Sequence, residues 1–178
     1  RAEHKVSEIR TLVGHGDPSH RLDIVVISDG YASADQPAFN AIADRLAKTI
    51  LKVEPMANYP NYINIHRINI VEEVSGVRGK SPSLGSKVTG ETLTCDRQKA
   101  LHVAQLAPGA DLVCVIANVK EVRSTGGPGV LTLDASGDIN DVVIHELGHA
   151  FGNLDDEYVD ESVQTSYPEW PATDNALH

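Results

Sequence analysis

His145 and His149 stand four residues apart in the run His145-Glu146-Leu147-Gly148-His149. On an α-helix, residues at that spacing lie one above the other, about 6 Å along the axis. Both imidazoles can therefore reach a single ion at roughly 2.0–2.1 Å. Glu146 is turned by about 100° from His145, which puts it beside the metal and next to a bound water, not in the place of a third ligand. Borderline nitrogen donors fit Zn²⁺ best, and catalysis is expected where one coordination position stays open. Gly148 costs a helix interior about 1 kcal/mol relative to Ala, which suggests that something approaches the backbone closely there. Gly152 is placed to end the helix in a left-handed residue, with Asn153 as a substitute. Asp155-Asp156-Glu157 follows at once, where the macrodipole disfavours negative charge; a bound cation removes that conflict. The plain alternative is a solvated acidic turn with coincidental histidines.

Other elements must position this helix, which is expected over Ile139–Gly152 with Ile139, Val143, Leu147 and Ala150 on its buried side. The β-branched run from Leu22 to Ile27, closed by Ser28-Asp29-Gly30, predicts a buried strand. Apolar Phe39, Ile42, Leu46, Ile50 and Val53 fall three or four apart and predict an amphipathic helix between Ser33 and Val53. Tyr62 to Val71 alternates like a strand apart from a slip at His66-Arg67, where a bulge is expected. Residues 72–94 lack periodicity and read as a long surface excursion. A modest helix is expected over Arg97–Leu106. Asp111–Val119, the most apolar strand, should be central in the sheet. A flexible loop over 124–129 and a short strand over Val130–Leu133 lead into the metal helix. Strands alternating with helices indicate an α/β fold, α+β by some schemes. Residues 1–21 read as a polar lead-in, and 22–178 as the functional domain.

Fifteen Lys and Arg stand against 25 Asp and Glu, for a net charge of −10. That charge repels phosphate backbones, so no nucleic-acid partner is expected. No apolar run reaches the roughly 18 residues of a transmembrane segment. The chain opens on Arg1 and charged residues, without a secretory leader, and reads as processed or trimmed. Cys95 and Cys114 could form one disulfide or stay as two buried thiols. Gly79-Lys80-Ser81 fails as a phosphate loop, since Val74 stands where a glycine is required. No nucleophile elbow supports serine chemistry. A second-helix glutamate ligand has barely room after Glu161, where Pro168 and Pro171 interrupt the chain. The remaining histidines, His66 and His102 among them, are assigned to packing or surface roles.

The pattern His145-Glu146-x-x-His149-x-x-Gly152-x-x-Asp155 resembles the long zinc signature of the metzincin metallopeptidases, in the variant whose third ligand is Asp. Ser28-Asp29-Gly30-Tyr31, Ser75-Gly76-Val77, and the helix motif running into Asp156-Glu157-Tyr158 are similar to the M64 family, the IgA-peptidase-like metallopeptidases or igalysins, over roughly residues 14–160. The resemblance implies a metzincin-like N-terminal subdomain, a twisted and mostly parallel sheet with a backing helix and an active-site helix. It implies Zn²⁺ held by His145, His149 and an Asp, Glu146 as general base, and a secreted or cell-surface bacterial-type endopeptidase acting on protein or peptide. Spacing makes Asp155 the third ligand, whereas the family's Asp-Glu-Tyr triplet falls on Asp156, which is slightly preferred; Glu157 would support the site. Metzincins also carry a methionine turn after the helix. The one methionine, Met56, lies upstream, which points to a product lacking part of the C-terminal subdomain and casts doubt on its activity.

The substrate is expected to lie extended on a sheet edge, nominated as Val130–Leu133 with Gly126–Gly129 as a mobile rim. Two rival readings stand beside the enzyme. One is a non-catalytic, metal-stabilised binding module of metzincin-like fold. The other is an adhesin-type acidic domain using Asp155–Asp160 for Ca²⁺.

Overall fold

Both faces of the central strands are apolar because both faces are covered. In the computed structural model, which describes residues 5–136, β2 (Leu22–Asp29), β3 (Ile63–Ile70), β6 (Leu112–Ala117) and β8 (Val130–Leu133) run parallel. Antiparallel edge strands β1 (Val6–Val13) and β7 (Thr125–Gly127) complete a six-stranded mixed sheet in the order β1-β3-β2-β6-β8-β7. A separate hairpin joins β4 (Lys87–Thr89) to β5 (Thr92–Thr94).

Helix α1 (Gln36–Ile50) turns Phe39, Ala43, Leu46, Ala47 and Ile50 inward, where they meet Ile24, Val26, Ile63 and Ile65. Helix α2 (Arg97–Ala104) is capped by Asp96, which accepts from the backbone N–H groups of Gln98 and Lys99. It lays Ala100, Val103 and Ala104 against Val25, Ile27, Val113 and Val115 on the opposite face. The chain winds from β2 through α1 to β3, then through α2 to β6. Right-handed crossovers in opposite directions along the sheet place the two helices on opposite faces. The expected α/β architecture with a mostly parallel sheet is therefore present, and β6 is central as expected.

Four local expectations are corrected. Residues 6–13, within the supposed lead-in, form β1; an edge strand with mostly exposed side chains carries too little apolar signal to be seen. At His66-Arg67 β3 is not bulged, since its register against β2 is continuous and the irregularities fall in the β1 pairing. The slip is instead a change of face. Ile63 and Ile65 look toward α1, Ile68 and Ile70 toward α2, and buried polar residues fill the remaining positions of each face. Arg67 thus reaches Glu8 and Asp44, while Asn69 binds Gln36 and Asn40. The supposed surface excursion over 72–94 contains the β4–β5 hairpin and buries Val77, Leu84, Ser86 and Leu93. Finally, the supposed loop over 124–129 contains β7, which pairs with β8. Val130–Leu133 is consequently interior to the sheet, and the substrate edge nominated there belongs to β7.

Cys95 and Cys114 are free thiols. Cys114 is fully enclosed in β6, and burial pushes its thiol up to about 12. The Cys95 sulfur accepts a hydrogen bond from Thr132 Oγ1 at 3.2 Å.

Candidate active site

In open α/β sheets, ligands collect beyond the carboxyl ends of the parallel strands. Here that end is built by residues just after β2, β6 and β8. Ser28 closes β2 by donating to the Ile70 carbonyl at 3.0 Å and accepting from the Ile70 N–H at 2.7 Å. The buried Asp29 carboxylate accepts from the N–H groups of Leu84 (2.8 Å) and Ser86 (2.9 Å). Burial raises its pKa above the ordinary value, against the pull of those donors.

Gly30 then turns the chain with φ +82°, and its carbonyl accepts from the Gly76 N–H at 2.8 Å and from Asn118 Nδ2 at 3.0 Å. A Cβ on Gly30 would lie 3.0 Å from the Gly76 carbonyl oxygen, so a side chain here would meet both strained backbone and a close neighbour. Asn118 also donates to Ser75 Oγ (2.9 Å), and Ser75 donates to Asp35 Oδ2. The two short motifs Ser28-Asp29-Gly30-Tyr31 and Ser75-Gly76, far apart in sequence, are thereby joined into one rim.

Tyr31 follows. Its carbonyl accepts from the Glu72 N–H at 2.9 Å and from Gln36 Nε2 at 3.1 Å. Its ring is 1% exposed and tilts against Phe39 with centroids 5.3 Å apart. On the far side of the rim, β8 delivers the chain into Asp134, whose N–H donates to Ser124 Oγ at 3.2 Å and whose Oδ1 accepts from Ser136 Oγ.

His145, Glu146, His149, Asp155 and Asp156, with Glu157, lie outside the described residues. Among the described residues no group of three or more His, Cys, Asp or Glu could hold a metal ion. None of the described helices is long and apolar enough to cross a membrane. Sequence reasoning missed Asn118, Asp35 and Asp134. Their one available signal was position: Asn118 and Asp134 each directly follow an apolar strand. His66 and His102, assigned to packing or surface, do lie outside this rim; His66 is buried at the other end of the sheet.

The family model for IgA Peptidase M64 matches residues 11–177. The chain belongs to the M64 peptidase family. No curated protein matches it. The M64 match begins within β1, spans every strand and helix after it, and runs through the histidine motif and all of its candidate ligands. M64 membership makes this chain a peptidase-type hydrolase, with protein or peptide as the implied substrate.

Proposed function

We propose that this M64 chain is a zinc-dependent metalloendopeptidase, secreted or displayed at the cell surface. One observation carries the reading: the His145-Glu146-x-x-His149 spacing, in a chain of a peptidase family, comes 12 residues after Leu133, the last residue of the strand that ends at this rim. Two imidazoles and a carboxylate suit zinc. His145 and His149 would hold it with Asp156, or with Asp155 in its place. Zinc bound there would bring the pKa of a coordinated water toward about 7 and polarise the scissile carbonyl.

Glu146 takes the proton of the attacking water and returns it to the departing amine. The peptide is held extended by backbone hydrogen bonds to β7. At the start of β7, Thr125 Oγ1 donates to the Leu93 carbonyl in β5 at 2.7 Å. Gly126 and Gly127 are then the part of the edge offered to substrate, and they lack side chains that would obstruct a neighbouring strand.

Casein hydrolysis and zinc content measured together test this assignment. Glu146→Ala should keep zinc and lose activity by a factor of at least about 10²–10⁴, whereas His149→Ala should lose both. Normal hydrolysis by Glu146→Ala would refute the general-base role. Zinc content of Asp155→Ala and Asp156→Ala identifies the third ligand, and equal retention in both would transfer that role to Glu157 or to water.

A further inference from the structure

The two edges of the six-stranded sheet differ. β7 is three residues long, whereas β1 runs for eight, from Val6 to Val13, with neither Pro nor Gly, and pairs with β3 alone among the described strands. An edge strand presents a row of unpaired N–H and C=O groups to any strand laid beside it, and proteins commonly blunt such edges. Here the blunting is partial. The register against β3 is irregular between Val6 and Glu8 and again between Thr11 and Val13, but regular from Glu8 to Thr11. That regular stretch carries Ile9, a large apolar side chain that is 44% exposed.

The charges flanking Ile9 are unbalanced in opposite senses. The Glu8 and Asp44 carboxylates both turn to the buried guanidinium of Arg67, so two anions share one cation, and their side chains stay 47% and 53% exposed. Arg10 lies on the same face of β1 as Glu8 by the two-residue period. It is exposed and makes no ion pair or side-chain hydrogen bond among the described residues. With Leu12, Asp44 and Lys48 it lines a groove of about 240 Å³ between β1 and α1.

A strand identical to β1, laid antiparallel beside it with Ile9 opposite Ile9, answers all three features together. Glu8 of each copy then faces Arg10 of the other, and Ser7 faces Thr11. A two-fold axis passes through the isoleucine pair, so every contact occurs twice, which is the self-complementarity a two-fold interface requires. Directly opposed unlike charges stabilise an antiparallel pair, and like charges destabilise it. Moving the axis to Glu8 sets Glu8 against Glu8, and moving it to Arg10 sets Arg10 against Arg10, so charge selects the register centred on Ile9. We infer that β1 is a self-association edge, on which a second copy of this chain pairs antiparallel about Ile9 and joins two six-stranded sheets into one. β7, at the far side of the sheet, stays open. The contact is short, so the dimer is a reversible one.

Sedimentation equilibrium of the 178-residue chain over a range of concentrations tests this, together with cysteine cross-linking. Wild type should exchange between monomer and dimer. Arg10→Glu turns both cross-strand pairs repulsive and should raise the dimer dissociation constant about tenfold or more, with an unchanged circular-dichroism spectrum. Mixing Arg10→Glu with Glu8→Arg should restore a dimer, because every pair in the mixed species is of unlike sign. Glu8 also holds Arg67, so Ile9→Cys and Ser7→Cys read the register without touching a charge. Mild oxidation should link Ile9→Cys into a dimer. It should leave Ser7→Cys unlinked, since the two copies of that residue lie about 13 Å apart along the strands, beyond the reach of a disulfide. Wild type, with its own Cys95 and Cys114, should also stay unlinked. A wild-type chain that is monomeric at every concentration, an Arg10→Glu chain that dimerises as well as wild type, or linking as fast at Ser7 as at Ile9 overturns the proposal.

Discussion

Asp23 and Asp29 bracket the same strand, face the same side of it by the two-residue period, and are both buried. Their partners are of opposite kinds. Asp23 is met by side chains: His66 Nε2 at 2.9 Å and Asn64 Nδ2 at 3.0 Å, with Thr11 Oγ1 3.0 Å from the other ring nitrogen of His66. Gly109 seals it so closely that a Cβ there would lie 2.5 Å from the carboxyl carbon. Asp29 is met by the backbone N–H groups of Leu84 and Ser86. One end of the sheet consumes its polar side chains in closing itself. The other spends one carboxylate on loop backbone, while Ser75 and Asn118 tie together the rim beside which β8 ends.

That contrast makes damage at the two ends separable. Gly109→Ala should have the largest effect on stability, about 3 kcal/mol, because Asp23 is pinned by two hydrogen bonds and cannot swing away; zinc affinity should be unchanged. Gly30→Ala should cost less, about 2 kcal/mol for a left-handed residue pressed against Gly76 and Val77, yet it should weaken zinc binding, since it shifts the rim at the carboxyl ends of the strands beside which the proposed site stands. Denaturant titration and chelator competition on the two variants read both quantities. Zinc binding that weakens with Gly109→Ala and holds with Gly30→Ala would reverse the roles assigned to the two ends.

A smaller effect distinguishes Asp29 by pH. Its folded-state pKa is raised above the ordinary 3.8, chiefly by burial, so the native state holds this proton more tightly than the unfolded chain does. The stability it contributes is complete below about 3.8 and is lost as pH rises through the folded value. Wild type should therefore gain stability relative to Asp29→Asn as pH is lowered from neutral toward 3.8. Parallel stability curves for the two proteins would contradict this.

Much of this architecture was legible because burial on both faces writes itself as continuous apolar sequence. Ile24-Val25-Val26-Ile27 and Leu112-Val113-Cys114-Val115-Ile116 name the two central strands directly, and the three-and-four spacing of Phe39, Leu46 and Ile50 names α1. The edges were illegible for the converse reason: β1 keeps most of its side chains in solvent, and β7 is Thr-Gly-Gly, which reads as a loop until a neighbour supplies the ladder. At His66-Arg67 the pattern was seen and given the wrong cause. An alternation slip looks the same whether a residue is inserted or the apolar face changes, and only the partners of Arg67 and Asn69 tell the two apart. Leu84 and Ser86 were hidden because what fixes them is the side chain of Asp29, 55 and 57 residues away. Helical spacing made His145 and His149 readable as a pair, whereas the rim depends on contacts such as Asn118 with Gly30, which span 88 residues.

The central claim is that His145 and His149 together grip one divalent ion with Glu146 beside it. Metal content of the purified protein, determined by elemental analysis for wild type and His149→Ala in parallel, tests it most directly. The account predicts one zinc per wild-type chain and a near-total loss in the variant. Equal metal content in the two proteins, or none in wild type after incubation with zinc, would contradict it.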